Sequence, residues 1–148
     1  MIILPDAAAT EALGVRLARQ VLAGDIIALA GGLGAGKTTL ARGVLRGLGW
    51  PEEAPSPSFT LVERYESPPS RLPVWHADLY RLGRPEEAHA LALDEAEGGL
   101  LLVEWPERLR PEALPDALRL TLSAHPGGGR ALTADVPEAW AERWPPPP

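Results

Sequence analysis

The sequence predicts an α/β fold: a single compact domain with a mostly parallel central sheet and a C-terminal β-hairpin. Three observations predict it. Residues 25–30 (Asp-Ile-Ile-Ala-Leu-Ala) and 100–104 (Leu-Leu-Leu-Val-Glu) are near-continuous apolar runs, of the kind buried on both faces of a parallel sheet. The first run feeds a glycine-rich turn, residues 31–36, and then a helical pattern. In that pattern Leu40, Val44, Leu45 and Leu48 share one face, with Arg42 and Arg46 on the other. Residues 118–124 and 130–136 alternate around Pro126-Gly127-Gly128-Gly129, which reads as a hairpin.

The remaining elements follow in order. Residues 2–4 suit a short edge strand, and Asp6 or Thr10 caps a helix whose apolar face holds Leu13, Leu17, Val21 and Leu22. Gly24 ends that helix and leads into the central strand. The second helix opens at about Lys37 and stops near Gly47 to Gly49, where Pro51 prevents its resumption. A proline-rich loop carries Ser56 and Ser58, and residues 58–65 mix β-branched and aromatic residues as a strand does. Pro68-Pro69-Ser70 turns this strand into a hairpin with residues 72–78. Pro85-Glu86-Glu87 starts a short helix that ends before Gly98-Gly99, and Trp105-Pro106 breaks the second buried strand. The domain is expected to occupy residues 1–136. The tail, 137–148, ends in Trp144 and four prolines and is expected to be partly unfolded or laid over the surface.

Residues 31–39, Gly-Gly-Leu-Gly-Ala-Gly-Lys-Thr-Thr, fit the phosphate-binding pattern G-x-x-x-x-G-K-[ST] between a strand and a helix. This makes the expected domain a P-loop NTPase. Gly31, Leu33, Gly34, Ala35 and Gly36 bring backbone N–H groups up to phosphate oxygens, and the helix N-terminus adds unpaired donors and a positive dipole end. Lys37 is expected to reach the β- and γ-phosphates, Thr38 to offer its hydroxyl to Mg²⁺, and Thr39 to complete the ATP-binding set. Lys37 is also the sole lysine among 14 basic residues, placed where a compact point charge suits phosphate.

Such a loop works with an acid at the end of a neighbouring strand. Glu104 closes the more apolar strand and is expected near the Mg²⁺ and its water. Asp78, which closes Val74-Trp75-His76-Ala77, is the second candidate, as an outer-shell or switch residue. His76 lies on the same strand face as Asp78 and is read as structural. Ser56, Ser58 and Thr60 are hydroxyls placed where nucleotide switches reach toward the γ-phosphate.

Composition narrows the function further. The chain has 148 residues, 45% hydrophobic, with a mean hydropathy of -0.06 and no apolar run of membrane-spanning length. The N-terminus lacks a signal-peptide pattern and there is no cysteine, so a cytoplasmic location without disulfides or thiolate metal sites is expected. A net charge of -6 and a pI near 5.1 argue against autonomous nucleic-acid binding. The absence of asparagine and of a second lysine excludes guanine reading by an Asn-Lys-x-Asp motif.

Four blocks taken together resemble a known family. They are Gly34-Ala35-Gly36-Lys37-Thr38-Thr39, Ser56-Pro57-Ser58-Phe59-Thr60-Leu61-Val62, His76-Ala77-Asp78-Leu79-Tyr80-Arg81-Leu82 and Val103-Glu104-Trp105-Pro106-Glu107. In order and spacing they are similar to the bacterial TsaE (YjeE) proteins, over about residues 10–109. The resemblance implies a small ATPase needed to make N6-threonylcarbamoyladenosine beside the tRNA anticodon. It implies TsaB and TsaD as protein partners, tRNA contacted only through that complex, no membrane, and hydrolysis that is slow alone and stimulated by partners. It also marks Lys37, Asp78, Glu104 and Trp105 as functional, and the loop of Ser56, Ser58 and Thr60 as switch-like. Trp105 is expected at the partner surface or switch. Two positions depart from the family pattern: Gly32 stands where an acid is usual, and Ser58 replaces a threonine. The alternative reading is a small-molecule P-loop kinase with Asp78 as base and Arg81 or Arg84 clamping the acceptor. A third is a nucleotide-sensing module that hydrolyses little. No clear insertion supplies the arginine-rich lid such kinases carry.

Overall fold

A computed structural model describes residues 1–32, 34–51, 54 and 61–148. Seven strands form one sheet: β1 (Ile2–Leu4), β2 (Ile26–Ala30), β3 (Val62–Tyr65), β4 (Val74–Asp78), β5 (Leu100–Glu104), β6 (Leu118–Ala124) and β7 (Arg130–Asp135). Their order is β1-β7-β6-β2-β5-β4-β3. The four central strands, β6, β2, β5 and β4, are parallel, and antiparallel pairs close both edges. The expected mostly parallel sheet and C-terminal hairpin are both present.

Two α-helices, α1 (Ala7–Ala18) and α2 (Lys37–Gly47), pack side by side on one face. Asp6, not Thr10, caps α1, its carboxylate accepting from the Ala9 N–H at 2.8 Å. The helices meet through glycine: a Cβ on Gly14 would lie 2.5 Å from the Leu40 carbonyl oxygen, and one on Gly43 would lie 2.2 Å from that of Glu11. Leu13, Leu17, Leu40, Val44 and Leu45 fill this layer against Ile27, Leu29, Leu100, Leu102, Leu118 and Leu120 of the sheet. Leu22 departs from expectation and is exposed, because α1 ends at Ala18 and the chain turns before the residue that would continue its face.

The opposite face (Ala28, Ala77, Leu101 and Val103) is covered by short 3₁₀ turns instead of α-helices. The helix expected from Pro85 is two 3₁₀ segments, Pro85–Leu91 and Leu93–Gly98, separated by Ala92 at φ 52°. Its sheet-facing residues explain this. Ala88 and Leu91, then Leu93 and Ala96, are each spaced by three, the repeat of a 3₁₀ turn, and the break at Ala92 resets the phase.

The tail is neither unfolded nor merely laid over the surface at its start. Trp140 is fully buried in the α-helical layer. The Arg143 guanidinium stacks 4.0 Å from its ring and forks onto the Asp25 carboxylate at 2.6 and 3.1 Å. Among the described residues no helix is long and apolar enough to cross a membrane.

Candidate functional site

The end of β2, the start of α2 and the ends of β4 and β5 converge on a cavity of about 580 Å³. Its floor is the glycine turn. Gly31 adopts φ +140°, and a Cβ there would lie 2.3 Å from the Leu122 carbonyl oxygen, so the turn lies tight against β6. Gly36 precedes α2 at φ 101°, and the helix has neither a side-chain cap nor an acid in its first turn. An 11-residue helix therefore presents unpaired N–H groups and its positive end to the cavity. Gly32, the position that departs from the family pattern, has open space where a Cβ would go.

Lys37 is nearly buried and turned back onto its own loop. Its Nζ donates to the Gly31 oxygen at 2.5 Å and the Gly32 oxygen at 2.8 Å. Burial holds the ammonium below the ordinary lysine range, against Glu104, Glu107 and Asp78, which draw it back up. The Trp105 ring covers it, 4.2 Å from Nζ. Trp105 takes φ 61°, a conformation a bulky side chain rarely adopts, and its N–H donates to the Leu29 oxygen at 3.2 Å. Its outer neighbour is Tyr80, 4.9 Å between centroids and 42% exposed.

Strand parity places the acids. In register, Asp78 pairs with Glu104 and His76 with Leu102, so His76, Asp78 and Glu104 all project to the α2 side. The Thr38 hydroxyl lies 3.1 Å from Glu104 Oε1 and 3.4 Å from Oε2, while His76 Nε2 lies 2.6 Å from Oε2. Glu104 and His76 are both buried. Asp78 lines the same cavity and accepts from the Tyr80 N–H at 3.1 Å. The sequence therefore named a set that the fold brings together: Gly34, Ala35, Gly36, Lys37, Thr38, Thr39, Asp78, Glu104 and Trp105 line one wall. Leu33, Ser56, Ser58 and Thr60 lie outside the described residues.

Two members were not foreseen. His76 was read as structural, yet it holds Glu104. Arg130, the first residue of β7, reaches across the cavity mouth and donates to the Ala35 oxygen at 3.1 Å and the Gly34 oxygen at 2.8 Å. No local signal distinguishes it from any other hairpin arginine.

The donor chemistry suits Mg²⁺. The Thr38 hydroxyl and the Glu104 carboxylate, 3.1 Å apart, are hard oxygen donors of the kind that would hold it. Among the described residues no cluster of three or more His, Cys, Asp or Glu could hold a metal.

A family model described as “Threonylcarbamoyl adenosine biosynthesis protein TsaE” matches residues 4–132. The chain is 45% identical over 111 residues to the tRNA threonylcarbamoyladenosine biosynthesis protein TsaE of Synechocystis, covering 72% of this chain and 69% of that one. It is 41% identical over 140 residues to the protein of the same name from Streptomyces coelicolor, covering 84% and 95%. A crystal structure of Bacillus subtilis YdiB superposes with a TM-score of 0.75 at 31% identity, covering 93% of this chain and 84% of that one. With its α/β architecture and a family match over residues 4–132, this chain belongs to the TsaE family of threonylcarbamoyl adenosine biosynthesis proteins.

Proposed function

We propose that this protein is a Mg²⁺-dependent ATPase serving threonylcarbamoyladenosine modification of tRNA beside the anticodon, by acting on a TsaB–TsaD complex. The observation that carries the ATPase reading is the Thr38–Glu104 pair at the uncapped start of α2, beside the buried Lys37. The pathway follows from the family, and the partners from the resemblance set out above.

In this reading the helix N-terminus and the turn at Gly34 to Gly36 receive the phosphates. Lys37 exchanges the Gly31 and Gly32 carbonyls for β- and γ-phosphate oxygens. Thr38 and Glu104 would hold Mg²⁺, which when bound supplies a Lewis acid to those oxygens. Glu104 orients the attacking water and accepts its proton, with Asp78 behind it. Trp105 covers the lysine in the resting state, and exposed Tyr80 beside it offers a surface through which a partner could shift that cover. On this reading, turnover would be slow alone and faster in the complex. An acidic chain, net -6, leaves the grip on tRNA to its partners.

The test is phosphate release from MgATP by the chain alone and with TsaB and TsaD, with Lys37→Ala as the blank. Marked stimulation by the pair is expected. No stimulation and no co-purification would overturn the partner assignment, and a phosphorylated small molecule appearing as ATP disappears would move the reading to a kinase.

A further inference from the structure

His76 is a buried polar side chain behind Glu104, which lines the cavity, and the reaction above assigns it nothing. Resting on the ATPase reading, we propose that His76 is a positioning residue: it fixes the Glu104 carboxylate so that Oε1 alone is presented to metal and water. An ionised carboxylate only accepts hydrogen bonds, so His76 Nε2 carries the proton and donates to Oε2 at 2.6 Å. Its Nδ1 is buried with no hydrogen-bond partner among the described residues. A leucine could fill the same place on β4 with no polar atom to satisfy, as Leu102 does opposite it on β5. The imidazole is therefore explained by what it does to Glu104, not by packing.

The geometry shows why one tether is not enough. The Glu104 carboxylate sits at the end of three rotatable bonds and has two recorded side-chain partners, the Thr38 hydroxyl and His76. Once the Thr38 hydroxyl turns to the metal, its hold on the carboxylate weakens. His76 then keeps the carboxylate from rotating Oε2 into the cavity or folding back on the sheet. Such outer partners orient a ligand without touching substrate.

The experiment compares His76→Leu and His76→Gln in steady-state MgATP hydrolysis, alone and with TsaB and TsaD, alongside thermal unfolding. His76→Leu is expected to lower kcat about 10–100-fold, the usual effect of losing an outer-sphere partner. KM for MgATP should stay within about threefold, because the phosphate contacts are intact. The glutamine amide can still donate to Oε2, so His76→Gln should recover most of kcat. In a Glu104→Ala background, His76→Leu should cost nothing further. An unchanged kcat in His76→Leu, a glutamine no better than leucine, or an equal loss with Glu104 absent would each overturn the proposal. Should His76→Leu fail to fold, His76→Asn, whose shorter amide falls short of Oε2, replaces it in the same cycle. A wild-type chain that hydrolyses no ATP under any condition would instead sink the ATPase reading itself.

Discussion

Replacing Glu104 separates binding from chemistry, because Lys37, the glycine turn and the start of α2 all remain when it goes. A positioned proton acceptor contributes about 10²–10⁴ in rate, equivalent to roughly 2.7–5.5 kcal/mol of barrier. Glu104→Ala and Glu104→Gln should therefore lose two to four orders of magnitude in kcat, about that range. Affinity for ATP should change by less than about tenfold, since the carboxylate is one of several groups around the phosphates. Stability distinguishes the two variants. Glu104 is 2% exposed, and alanine leaves the His76 donor buried without a partner. An unsatisfied buried donor costs about 1–3 kcal/mol, which for a chain of this size corresponds to roughly 2–12 °C in Tm. Part of this is offset by removing a buried charge. Glutamine keeps an acceptor oxygen for His76 and should unfold closer to wild type. Phosphate release at saturating MgATP, equilibrium nucleotide binding and thermal unfolding, run on the same preparations, read all three quantities. If both variants hydrolyse at near the wild-type rate, the reasoning fails at its centre, and Asp78 holds the role given to Glu104.

Three further outcomes are expected. Lys37→Ala should abolish tight ATP binding. In the wild type, phosphate favours the charged lysine, so MgATP affinity is full below the free-state pKa and is lost as pH rises through it; burial brings that loss to a lower pH than for an exposed lysine. Titrating affinity upward from neutral pH checks the sign, and Lys37→Arg should flatten the profile. Arg130→Ala removes two partly exposed, charge-assisted contacts to the loop and should weaken MgATP binding by about 5–30-fold, or ~1–2 kcal/mol after allowing for solvent screening; isothermal titration reads it. Trp140→Ala should destabilise the fold by about 3–5 kcal/mol, lowering Tm by roughly 6–20 °C with nucleotide affinity intact at low temperature. A change within a degree would mean that the tail does not share the core.

The parallel centre of the sheet was legible because residues 26–30 and 100–104 are apolar on both strand faces, and only a sheet covered on both sides needs that. The turn from β2 into α2 was legible because a glycine run between an apolar strand and a helical pattern has few other uses, and the place of Glu104 beside Thr38 because it ends such a strand. His76 was not, since its role depends on β4 lying beside β5 in one register, a fact held in no local window. Arg130 acts across 96 positions of sequence, which leaves no trace in periodicity. The segment after Pro85 carried a helix start, but the three-residue spacing of its apolar side chains chose the tighter helix. The tail's tryptophans and prolines suit a surface strap and a buried plug equally, and only the folded core decides that Trp140 goes in.

The resting site has one property that bears on how the protein works. Among the described residues, three charged groups around the glycine turn already have internal partners: Lys37 on the Gly31 and Gly32 oxygens, Glu104 on Thr38 and His76, Arg130 on the Gly34 and Ala35 oxygens. ATP gains only the difference between its contacts and those it displaces, and a ligand shifts an equilibrium by no more than that difference. The lysine is the costliest to move, because it is buried, doubly bonded and covered by Trp105. An effector that moves Trp105 would weaken the resting arrangement without touching the nucleotide, and so raise both affinity and turnover. On the proposed function, this is the physical ground for expecting partner stimulation, with control at Trp105 and Tyr80 instead of at the phosphates. Trp105→Ala then has a defined signature: higher turnover by the isolated chain and little further stimulation by partners. A variant that keeps the wild-type rate alone and the full stimulation would remove Trp105 from the mechanism.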